Sequence, residues 1–62
     1  MNIKVALKNL YNYGENHQAI KHNDANIELL SHPMIGRIFI VEKDGKFYQR
    51  KSISSVMSII GA

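Results

Sequence analysis

The 62 residues carry eight Lys+Arg against five Asp+Glu, a formal net charge of +3, with 45% hydrophobic residues and no cysteine. That length fits one domain, residues 1–62, with little room for a shielded enzyme pocket, and without cysteine neither disulfides nor thiolate metal sites can reinforce it. No stretch approaches the roughly 20 apolar residues of a membrane span and no signal h-region is evident, so a cytoplasmic protein is expected, in the host cytoplasm if phage-encoded.

A chain this short buries only about 60% of its unfolded surface, so good packing or oligomerisation must supply stability, and a homodimer is one outlet. The mildly basic balance favours acidic partners without requiring them. Nine Ile, six Asn and six Lys, residues with AT-rich codons, make up a third of the chain. A short chain of that composition reads as an accessory protein of a low-GC bacterium or its phage.

Residues 2–13 place Ile3, Leu7, Leu10 and Tyr11 at helical spacing, with Lys4, Lys8, Asn9 and Asn12 mostly opposite. Asn2 can cap that helix, and Gly14 is expected to end it in a left-handed conformation. Residues 15–33 are the least patterned. Asn23-Asp24 is a turn signal with two continuations. Asp24 can cap a short helix through Ser31 with Ile27 and Leu30 inward. Alternatively the pair turns a first hairpin, joining residues near 18–22 to 25–30. The helix is the preferred reading. Pro33 ends the segment by excluding His32 from the α region.

Two β-prone runs, about 35–42 and 46–51, flank Asp44-Gly45, a strong hairpin signal. Ser52 then caps a helix over about 53–60, with Ile53, Val56, Met57 and Ile60 on one face, Ser54, Ser55 and Ser58 opposite, and Gly61 as terminator. The expected fold class is α+β: an N-terminal helix, a variable middle segment, an antiparallel β-hairpin and a C-terminal helix.

The hairpin has two registers. A two-residue type I′ turn pairs Lys43 with Lys46, Val41 with Tyr48 and Phe39 with Arg50. One face then carries Arg37, Phe39, Val41, Lys43, Lys46, Tyr48 and Arg50 as a basic, aromatic surface, while Ile38, Ile40 and Phe47 pack on the helices. A three-residue loop with Gly45 in a bulge instead sets Glu42 against Lys46. The bulged register is expected, because like charges directly opposite destabilise a strand pair. In either register apolar side chains appear on both faces, and such surplus usually marks an interface.

No catalytic motif is present: the serines lack an oriented base and an oxyanion hole, and Gly14, Gly36 and Gly45 do not form a phosphate loop. The His17–His22 spacing of five does not place both on one helical face, so no metal site is expected from His17, His22, His32 and Asp24. No cofactor is expected. The leading expectation is a small non-enzymatic accessory protein that binds and modulates a larger protein partner through Phe39, Val41 and Tyr48. The alternative is a nucleic-acid-binding protein using Arg37, Lys43, Lys46, Tyr48, Arg50 and Lys51, in which cations neutralise phosphates and the ring stacks on bases.

Overall fold

The structure, a computed structural model, describes residues 2–14 and 19–61. Its elements in chain order are α1 (Ile3–Tyr13), β1 (Ile20–His22), β2 (Ala25–His32), β3 (Gly36–Lys43), β4 (Lys46–Arg50) and α2 (Ile53–Ile60). The strands form one antiparallel sheet in the order β1-β2-β3-β4, which makes the architecture α+β. Helix α1 lies against β1 and β2, α2 against β3 and β4, and the helices touch each other. No helix among the described residues is long and apolar enough to cross a membrane.

Each helix starts as its sequence requires. Asn2 sits in extended conformation and its side chain accepts from the Lys4 amide at 2.9 Å. Ser52 accepts from the Ser55 amide at 3.2 Å, and its hydroxyl donates to Ser55 Oγ at 2.7 Å. Gly61 closes α2 in the left-handed region at φ 76°, its N–H bonded to Met57 O, an arrangement that only glycine adopts without strain.

Gly14 corrects an expectation. It keeps a right-handed conformation, φ −55°, so it does not end α1 by turning left-handed. It admits β2 instead: a Cβ there would overlap Leu29 Cδ2 and lie 3.2 Å from Leu29 Cβ.

The middle segment is a second correction. No helix forms over Asp24–Ser31. His22 pairs with Ala25 across a two-residue turn at Asn23-Asp24, with Asn23 at φ 53°. The period that prevails is two rather than 3.6: Ala25 and Ile27 are buried and Leu29 half-buried, while Asn26, Glu28 and Leu30 point the other way. Leu30, expected inward, is 47% exposed. Residues 15–18, including His17, lie outside the described residues.

The third correction is the main hairpin. Asp44 and Gly45 both have positive φ, 54° and 76°, as a type I′ turn demands, and Lys43 stands opposite Lys46. The like-charge pair is relieved because Lys43 Nζ leaves it and donates to Ile59 O at the end of α2, at 2.9 Å.

The face covered by the helices is the reverse of the one expected for this register. Leu7 and Leu10 of α1 and Val56 and Ile60 of α2 bury Ala25, Ile27, Phe39 and Val41 in one core cluster. Ile27 is the cross-strand partner of Val41, and Leu29 that of Phe39. The opposite set, Ile38, Ile40 and Phe47, therefore lies on the face away from the helices.

Candidate interaction surfaces

Phe39 and Val41 are fully buried, so they offer no partner a surface in this fold. Tyr48 pairs with Val41 and is half-buried against the same core. Tyr11 covers Phe39 with ring centroids 5.8 Å apart. Phe39, Val41 and Tyr48 thus pack on the side of the sheet that the helices cover.

Of the basic set, Arg37, Lys43, Lys46 and Arg50 share their face by register but do not form a ribbon, and Lys51 lies just beyond β4. Arg37 Nη1 donates to Tyr11 O at 2.6 Å and to Asn12 O at 3.3 Å, and its guanidinium lies 5.8 Å from the Tyr11 ring centroid. It therefore caps the end of α1 while Lys43 caps the end of α2. Neither helix has a basic residue in its own last turn, and β3 supplies the positive charge that a helix C-terminus favours. The two cations stand six residues apart on one strand, about 20 Å, with Phe39 and Val41 covered between them. Arg50 packs 5.6 Å over the Tyr48 ring and donates to Gln49 O at 2.7 Å. Lys46 and Lys51 are exposed.

The open face holds the apolar surplus. Phe47 is 73% exposed and Leu30 47%, with Ile40 half-buried between their strands. Ile38, beside Leu30 in the register, is only 3% exposed yet stands outside the core cluster. At one end of the sheet the β2–β3 turn adds Met34, 90% exposed, and Ile35, 47%. His32 holds this turn: its Nδ1 accepts from the Met34 and Ile35 amides, each at 3.1 Å.

Polar groups interrupt the face. The register runs Lys21, Asn26, Glu42 and Phe47 across one row and Glu28, Ile40 and Gln49 across the next. Asn26 Nδ2 donates to Glu42 Oε1 at 3.1 Å. Asn26, Glu28, Ile40, Glu42 and Phe47 line a shallow concavity of about 130 Å³, below the roughly 300–1,000 Å³ of small-molecule sites. Among the described residues no group of three or more His, Asp or Glu could hold a metal ion, and Ser52, Ser54 and Ser55 form the α2 cap.

Sequence reasoning missed the open-face residues as a surface. Their signal lay in β2. Once Ala25, Ile27 and Leu29 are read with a period of two, they select Phe39 and Val41 as core partners and leave Ile40 and Phe47 outside. The chain matches no protein-family model, no curated protein and no solved structure.

Proposed function

We propose that the protein is a small non-enzymatic accessory module, working in the cytoplasm, that binds and modulates a larger protein. The docking surface is the open face of the sheet rather than the Phe39–Val41–Tyr48 face first expected. One observation carries this reading: both helices cover the same side of the sheet, and Leu30, Met34, Ile35 and Phe47 remain exposed on or beside the other. Large exposed apolar side chains on the uncovered face of a small domain mark an interaction surface, and one aromatic anchor such as Phe47 can dominate such an interface.

Capture from a lysate with the intact chain tests it. A stoichiometric protein is expected with the wild type and is lost with Phe47→Asp, while Lys4→Gln on the outer side of α1 leaves capture intact. Recovery of nucleic acid without protein overturns the reading.

Nucleic-acid binding, the second reading, is favoured by the exposed Lys46, Arg50 and Lys51 around edge strand β4. It predicts an affinity that falls steeply with salt. Arg37 and Lys43 contribute little to it, since helix carbonyls already hold them.

A further inference from the structure

We infer that the open face takes a cationic, amphipathic protein segment, with a lysine or arginine side chain seated between Glu28 and Glu42 over Ile40. This rests on the reading of that face as a protein-docking surface and names the chemistry of the partner.

Charge segregation across the sheet is the first support. The chain as a whole is +3. Arg37, Lys43, Lys46 and Arg50 fall, by register, on the helix-covered side. Glu28 and Glu42 fall on the open side, where Glu28 is the cross-strand partner of Ile40 and Glu42 that of Phe47. The centre of the open face thus opposes the sign of the chain that carries it. Lys21, beside Asn26, and Lys51, just beyond β4, flank this centre at its two edges.

The arrangement of the carboxylates is the second. Asn26 orients the Glu42 carboxylate through one oxygen. The Glu28 side chain is exposed and makes no hydrogen bond or ion pair among the described residues. Among the described residues, no cation forms an ion pair with either carboxylate. Ile40 and Phe47 give the concavity between the two carboxylates an apolar lining, and at about 130 Å³ it is smaller than a metabolite site. A lysine or arginine suits both parts, because its methylene stem lies along apolar surface while its head meets a carboxylate or a ring face.

Other occupants fit less well. A second copy, face to face, would oppose Glu28 and Glu42 with their own like charges. A nucleic acid would bring phosphates to the same carboxylates.

Titration of the ¹⁵N-labelled chain with short synthetic peptides tests the inference. One peptide alternates Lys and Leu, one Glu and Leu, one Ser and Leu. The Lys/Leu peptide is expected to shift the amides of Glu28, Ile40, Glu42 and Phe47 and to weaken with salt. The double variant Glu28→Gln, Glu42→Gln keeps an acceptor for Asn26 and an unchanged thermal transition, and it loses roughly fivefold in affinity. Equal binding of the Ser/Leu or Glu/Leu peptide, or equal binding by the double variant, overturns the cationic preference and leaves the docking face standing. If no peptide perturbs these amides, both readings fall. Shifts at the same amides from protein concentration alone, or from a single-stranded oligonucleotide, overturn the inference in favour of a second copy or of nucleic acid.

Discussion

The two faces of the sheet are made from alternate residues of the same strands, and they do opposite things with similar side chains. On one, Phe39 and Val41 vanish beneath two helices, and the cations at either end of β3 reach out to cap those helices. On the other, Ile40 and Phe47 meet solvent, and the charges of their own and the neighbouring strand are the carboxylates of Glu42 and Glu28, with Lys21 out on β1. Hydrophobicity alone does not separate the faces; Phe47 is as apolar as Phe39. What separates them is a third strand. Ala25, Ile27 and Leu29 extend the Phe39 side into a continuous apolar layer, whereas Asn26 and Glu28 interrupt the Ile40 side. A helix with a wide apolar stripe needs the continuous layer, and both helices find it on the same side.

Truncation of the covered face should produce the largest effect. Phe39→Ala removes a fully buried ring that touches Tyr11, and such losses cost about 3–5 kcal/mol. A single core of this size rarely supplies more than about that in total, so thermal denaturation followed by circular dichroism should lose its cooperative transition. Ile40→Ala, one residue away on the open face, should keep a cooperative transition. A collapse of equal size at Ile40 would mean that the two faces are not distinct.

The contrast also shows how much could be read in advance. Both helices, their caps at Asn2 and Ser52, and the hairpin at Asp44-Gly45 were legible, because each depends on local pattern and turn chemistry. The choice of register was not. It turned on whether Lys43 and Lys46 repel, and the answer depends on a carbonyl sixteen residues away in α2. The middle strand was illegible for a related reason. Ile27 and Leu30 satisfy a helical spacing as well as Ala25, Ile27 and Leu29 satisfy a strand, and only pairing with β3 decides between them. The candidate site depends on neither: Phe39, Val41 and Tyr48 share a face in the register the hairpin adopts, and what departs from expectation is the side the helices cover, which Ala25, Ile27 and Leu29 select by extending it.

Gly14→Ala should produce the next largest effect. Its right-handed backbone accepts alanine, so any loss reports the close approach of Leu29 rather than strain. A destabilisation of about 1–3 kcal/mol is expected from overpacking. Leu29→Ala in the same chain should remove most of the added penalty, which a double-mutant cycle in urea will read as a coupling between the two sites. Strict additivity would show that α1 does not seat on β2 at this point.

Replacing the capping cations is expected to cost less. Lys43→Met and Arg37→Met retain most of the apolar stem and delete the donor to a helix C-terminus, a contribution of about 0.5–1.5 kcal/mol each. Lys46→Met, exposed at the same turn, should change stability little and also remove the like charge opposite Lys43. Equal losses at positions 43 and 46 would contradict the assignment of Lys43 to the end of α2.

The smallest expected effect on stability is the one that bears most directly on function. Phe47 is a large aromatic residue on an edge strand, and its exposure means that folding gains little from it. Phe47→Ser should therefore leave the urea midpoint within about 0.5 kcal/mol of the wild type, as surface substitutions usually do. Its cross-strand neighbour Glu42 keeps its bond from Asn26 regardless. The same substitution should abolish capture of the protein partner, because a ring of this size, buried at an interface, can act as its anchor. Loss of stability would assign Phe47 to the fold instead. Unchanged stability with unchanged capture would move the docking surface to the exposed Met34–Ile35 turn, where His32→Ala, by deleting the acceptor for both turn amides, becomes the variant that should weaken binding.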